Sequence, residues 1–207
     1  MIERIMYSGI VKDKSQIDVK GLKEHWGELR NAEKVYTASC FLWENSIFIY
    51  YECFNERVAV DEVMRSIEDC MVEQKSYSGE TKWKRITEIF RYSDTVNELY
   101  WKRNDQPTDR VGFVAMLKPE MVSSYVFYHY QLQEEERICN NKYGIIGADG
   151  NFLFMYYEKP EVTNVLPYKG LLKTCNSPKN WHEVMEPHFT KWDGDVIWKN
   201  IKNIASI

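Results

Sequence analysis

Hydrophobic and polar positions alternate along Glu3–Lys12 with the period of a strand, and the same pattern returns at Arg110–Lys118. Between Asp18 and Glu33 the period changes. Val19, Leu22, Trp26 and Leu29 fall three and four apart, which predicts an amphipathic helix with Asp18 as its N-cap. Two more strands follow, at 35–43 and 47–54, joined by a Glu44-Asn45-Ser46 turn. Apolar spacing at Val60, Val63, Met64, Ile67 and Met71 predicts a second helix over 60–74, and Trp83, Ile86, Ile89 and Phe90 extend helical spacing beyond it. A strand over 95–101 closes this half.

The polar run Asn104-Asp105-Gln106-Pro107-Thr108-Asp109 reads as a linker. After it the order repeats. Pro119 starts a helix whose stripe is Val122, Tyr125, His129 and Leu132. The strands KYGIIGAD and NFLFMYYEK come next, then a helical stretch at Trp181-His182-Glu183-Val184-Met185 and a last strand at 195–204. Arg4 and Arg110 are 106 positions apart, as are Phe48-x-Tyr50-Tyr51-Glu52 and Phe154-x-Tyr156-Tyr157-Glu158. One offset at two separate strands indicates a tandem duplication.

The predicted class is therefore α+β: two tandem ferredoxin-like βαββαβ units at 1–103 and 110–207, joined by 104–109. Each would leave one sheet face bare. The two are expected to cover each other as an intrachain pseudo-dimeric α/β barrel, an arrangement compatible with a monomer.

Composition narrows the function. A net charge of −4 with no basic stripe argues against nucleic acid, and no apolar run is long enough for a membrane span. The first residues, MIERIMYSGIVK, lack a signal-peptide layout, so a cytoplasmic location is expected. The five cysteines, including Cys139, are scattered and odd in number, which fits free thiols in a reducing compartment. Seven Trp and fourteen Tyr supply rings with polar edges, suited to cores, interfaces and sugar pockets alike.

The chemistry concentrates in the second half. His129 lies one helical turn after Tyr125, and an imidazole there could exchange protons near neutral pH or simply bond a backbone carbonyl. Tyr143 reads equally as strand packing or as a ligand contact, Trp181 as core or as a stacking platform. His182 reads as a second acid/base group or a surface residue. His182-Glu183 and Glu186-x-His188 lack the spacing of a helical metal motif, and Pro187 interrupts them. The acidic run Glu134-Glu135-Glu136 reads as a solvated face. No glycine-rich phosphate loop or nucleophile elbow is present.

Lys118-Pro119-Glu120, Tyr125-x-x-x-His129, Asn141-Lys142-Tyr143, Phe152-Leu153-Phe154-x-Tyr156-x-Glu158 and Trp181 ahead of Met185 together make the second half resemble the L-rhamnose mutarotase family. The resemblance implies a dimeric α/β barrel that interconverts the α and β anomers of a small-molecule sugar, a 6-deoxyhexose or related aldose, without a cofactor. It implies His129 as proton donor, with Tyr125, Tyr143 and Trp181 lining the pocket. His182 stands where the family often carries a second Trp. The first half has Leu22 and Trp26 in place of Tyr125 and His129, which predicts a scaffold with a degenerate pocket. Two alternatives stay open: a sugar-binding or regulatory relative without turnover, and an oxidative enzyme taking haem or a quinone-like substrate.

Overall fold

The computed structural model describes residues 2–76, 79–135, 141–166 and 170–207; Glu136 and Cys139 lie outside them. In chain order the strands and α-helices are β1 (Ile2–Ile10), α1 (Val19–Asn31), β2 (Val35–Trp43), β3 (Ser46–Phe54), α2 (Val60–Val63), β4 (Gln74–Ser76), β5 (Gly79–Thr81), β6 (Trp83–Arg85) and β7 (Thr87–Arg91). They continue as α3 (Glu98–Trp101), β8 (Asp109–Leu117), α4 (Val122–Glu135), β9 (Ile145–Asp149), β10 (Phe152–Lys159), α5 (Trp181–Met185), β11 (Phe189–Thr190) and β12 (Lys199–Ser206). The chain divides into two compact units interleaved in sequence. The first comprises 1–86, 95–106 and 201–207, the second 87–94 and 107–200.

In the first unit β1 pairs antiparallel with β3 and β6, β3 with β2, and β2 with residues 202–206 of β12. The hairpin between β2 and β3 turns at Glu44, which takes a left-handed φ of 52°. Asp18 caps α1 by accepting from the Gly21 N–H at 2.9 Å. The stripe Leu22, Trp26 and Leu29 is buried in a core that includes Ile5, Ile49, Tyr51, Val63 and Met64. The indole N–H of Trp26 donates to the Val63 carbonyl at 2.8 Å, so even the polar edge of this ring is satisfied.

A second, polar anchor sits in the same unit. Glu52 is fully buried and receives both guanidinium nitrogens of Arg103 at 2.9 Å and the Trp101 indole N–H at 2.9 Å. The Tyr50 hydroxyl donates to it as well, and Arg4 in turn donates to that hydroxyl at 2.9 Å. Burial alone would raise the Glu52 pKa; Arg103, Arg4 and Tyr50 overcome it and hold the carboxyl below its ordinary value.

In the second unit β8 lies between β10 and β11, β10 pairs with β9, and β9 pairs with β7. Pro119 opens a 3-10 turn, Pro119–Met121, that runs directly into α4. Tyr125 and His129 are buried on the inward face of α4. Around Tyr125, Ala115, Leu117, Leu153, Met185 and Phe189 form the apolar core.

This is not a pair of tandem ferredoxin-like βαββαβ units joined as a pseudo-dimeric α/β barrel. The described residues form antiparallel β structure with few helices. The helix expected over 60–74 is reduced to the four residues of α2 and a 3-10 turn, Arg65–Cys70. Residues 83–91, expected to be helical, are the strands β6 and β7. The expected strand over 95–101 is instead the short helix α3, capped by the Asn97 side chain on the Tyr100 N–H at 2.8 Å.

Strand exchange also departs from two self-contained repeats. β7 comes from the first half of the sequence yet pairs with β9, and the chain end pairs with β2. The physical reason lies in the composition of 86–91. Ile86, Thr87 and Ile89 are β-branched and pack well on a pleated surface. The edge of β9 pairs with the backbone of Thr87–Arg91, with one irregularity between Glu88 and Phe90, and this pairing outweighs the helical spacing of the apolar residues. Among the described residues no helix is long and apolar enough to cross a membrane.

Candidate active site

α4 places His129 over the carbonyl of Tyr125, with Nδ1 2.9 Å from that oxygen. A carbonyl only accepts, so Nδ1 carries the hydrogen and Nε2 keeps its lone pair. The ring is 4% exposed. Burial pushes its pKa down; the Tyr125 carbonyl pulls it up in part, His188 adds to the depression, and it settles at about 4. At neutral pH His129 is thus an uncharged base with one nitrogen committed to the helix and the other available.

Aromatic rings fix the imidazole from several sides. The Tyr125 ring is tilted against it at 4.2 Å between centroids, and Trp181 and Phe90 meet it edge-on at 5.0 and 5.5 Å. Tyr125 is 2% exposed, and burial, with Tyr92 nearby, pushes its phenol well above the usual range. It therefore stays protonated and can act only as a neutral hydroxyl.

Beside these rings lies a cavity of about 390 Å³ lined by Tyr92, Tyr125, His129, Trp181, His182 and Trp198, among others. It shares Tyr92, His129, Trp181 and His182 with an adjoining hollow of about 500 Å³, walled further by Ser177, Pro178 and Lys179. Apolar walls with a few polar groups are the usual make-up of a small-molecule site.

Four of the five residues singled out in the sequence thus come together: Tyr125, His129, Trp181 and His182. Tyr143 does not line either cavity. It sits in the turn before β9, with its N–H on Asn141 Oδ1 at 3.2 Å and the Lys142 ammonium 5.3 Å from its ring centre. Tyr92 provides the cavity phenol instead. It follows β7, the segment whose pattern reads as a helix, and so its place could not be read from periodicity. Phe90, on β7 itself, was missed for the same reason; Phe189 and Trp198 carry no periodic signal that would place them at the cavity.

His188 is a further histidine behind the site. It is buried, its Nε2 lies 2.8 Å from Ser124 Oγ, and its ring centre is 6.0 Å from that of Tyr125. Its Nδ1 is buried without a hydrogen-bond partner. Among the described residues no group of three or more His, Cys, Asp or Glu is arranged to hold a metal ion.

The corresponding part of α1 carries no such site. Leu22 and Trp26 are fully buried in the first unit's core. His25 is held between the Glu62 carbonyl, 2.7 Å from Nε2, and Arg65, 3.1 Å from Nδ1. Tyr36 stacks under the Arg103 guanidinium at 5.4 Å, and Trp83 is buried.

No family model matches the chain, and no curated protein matches it. A solved structure from Fusobacterium nucleatum subsp. nucleatum, a candidate monooxygenase, is similar over 99% of this chain and 93% of its own, at 11% identity and a TM-score of 0.47. Similarity at that level supports no conclusion about activity.

Proposed function

We propose that the protein is a mutarotase, interconverting the α and β anomers of a 6-deoxyhexose such as L-rhamnose, or of a related aldose. The observation that carries this reading is the neutral, buried His129 with Nε2 uncommitted at the wall of an aromatic cavity. Pyranose opening requires the anomeric hydroxyl to lose a proton while the ring oxygen gains one. His129 Nε2 takes the first proton. His182 is the cavity group able to supply the second, while Tyr125, held as a phenol, can donate a hydrogen bond to the ring oxygen.

The C1–O5 bond breaks as the carbonyl forms, and rotation about C1–C2 exposes its other face. The same groups run in reverse to close the ring, so no net proton or electron is consumed. Trp181, edge-on to His129, offers its indole to the apolar C–H face of the sugar. General acid–base help of this kind is typically worth ~10²–10⁴-fold, which suits a reaction that already proceeds slowly in water.

Saturation-transfer NMR on a panel of free aldoses tests the reading. Faster anomer exchange for a 6-deoxyhexose supports it. Binding of the same sugars with no gain in exchange would instead indicate a sugar-binding protein without turnover, and neither binding nor exchange would reject the sugar altogether.

A further inference from the structure

Glu134 and Glu135 are the last two described residues of α4. Both carboxylates are occupied by one segment of chain. Glu134 Oε2 accepts from the Leu171 N–H at 3.0 Å, and its carbonyl accepts from the Leu172 N–H at 3.2 Å. Glu135 accepts from the Asn176 N–H at 2.9 Å, from the Ser177 N–H at 2.7 Å, from the Ser177 hydroxyl at 2.7 Å and from the Thr174 hydroxyl. Burial nudges the Glu135 carboxyl upward, but the Thr174, Asn176 and Ser177 donors dominate and bring it down to about 2.

A second observation marks the same contact. A Cβ on Gly170 would lie 1.7 Å from the Glu134 carbonyl oxygen and 2.2 Å from its carbon, so only glycine lets the segment approach α4 this closely. Immediately downstream, Ser177, Pro178 and Lys179 wall the hollow that holds His129, and Trp181 and His182 follow.

We infer that Glu135 is a positioning residue for the His129 cavity: by clamping residues 174–177 onto α4, beside the contacts that Glu134 makes with 170–172, it fixes one wall of the site and the place of Trp181. The inference rests on the reading of this cavity as the sugar site, and its test separates the two. His129 and Glu135 share one rigid helix, so the clamp ties the wall to the same element that carries the base. Charge-assisted hydrogen bonds to backbone N–H groups are the strong class, which makes the carboxylate, rather than its volume, the operative feature.

Two variants probe it, Glu135→Gln, which keeps the shape, and Gly170→Ala, which keeps the carboxylate but blocks the approach. Both should speed amide exchange at Asn176 and Ser177 about tenfold or more and shift the Trp181 indole N–H resonance, with no sugar present. With L-rhamnose as probe, KM should rise about tenfold while kcat changes by less than about threefold, the signature of a lost binding wall. An unmoved indole resonance in both variants, or kcat and KM at wild-type values, would overturn the inference. Should the wild-type protein fail to accelerate any sugar, the proposed function falls, and the exchange and indole measurements still decide the role of Glu135.

Discussion

His129 is depressed by its surroundings from an ordinary imidazole value of 6.5 to about 4, and two consequences follow at the residue scale. The first concerns rate. The base form exists above pH about 4, so kcat/KM for anomer exchange should fall about tenfold per unit below 4. The second concerns stability. The unfolded chain binds this proton at a higher pH than the folded one, so folded-state stability from His129 is present above about 6.5 and is lost as pH falls toward about 4. At ~1.4 kcal/mol per unit the loss is about 3 kcal/mol. A His129→Phe variant should lack that slope in urea titrations run between pH 7 and 4; an unchanged slope would mean the ring is not buried and neutral as described.

At the scale of elements, the helix stripe of α4 was legible because three-and-four spacing is a property of the segment alone. That was enough to bring Tyr125 and His129 to one face. The turn at Glu44, the Asp18 cap and the strands β1, β2, β3, β8 and β10 are equally local. The misread segments share another cause. Residues 83–91 are apolar at spacings that fit a helix, and it is pairing with β1 at 83–85 and with β9 at 87–91 that makes them strands. Residues 98–101 look like a strand until Trp101 is seen to end on the buried Glu52. Tyr143 misled in the same way, since its place depends on where β9 begins.

Glu52 allows a direct check of this anchoring. Removing Arg103 leaves a buried carboxylate without its bidentate partner, a change that typically costs ~3–5 kcal/mol. An Arg103→Ala variant should therefore unfold at a temperature lower by about 10 °C. A shift below about 2 °C would show that Trp101 and Tyr50 suffice to hold the carboxylate.

For the whole molecule, interleaving is the central property. The 106-position spacing predicts two self-contained copies, whereas the compact units are interleaved, because 87–94 belongs with 107–200 and 201–207 belongs with the first unit. Duplicated sequence constrains strand register within a copy; it does not dictate which edge each strand joins. Residues 107–207 expressed alone lack β7, leaving the β9 edge unpaired and α4 without one of the strands it packs on. That fragment should give no cooperative thermal transition, whereas a fragment of 87–207 should regain one. Cooperative unfolding of 107–207 alone would show that β7 is dispensable.

The account turns on His129 as the proton-transferring group of a sugar site. The most direct measurement is the rate of L-rhamnose anomer exchange at pH 7 for the wild-type protein beside His129→Ala and His129→Gln. The wild type should accelerate exchange and both variants should lose ~10²-fold or more of it while still unfolding cooperatively. Exchange at the wild-type rate in either variant would contradict the account.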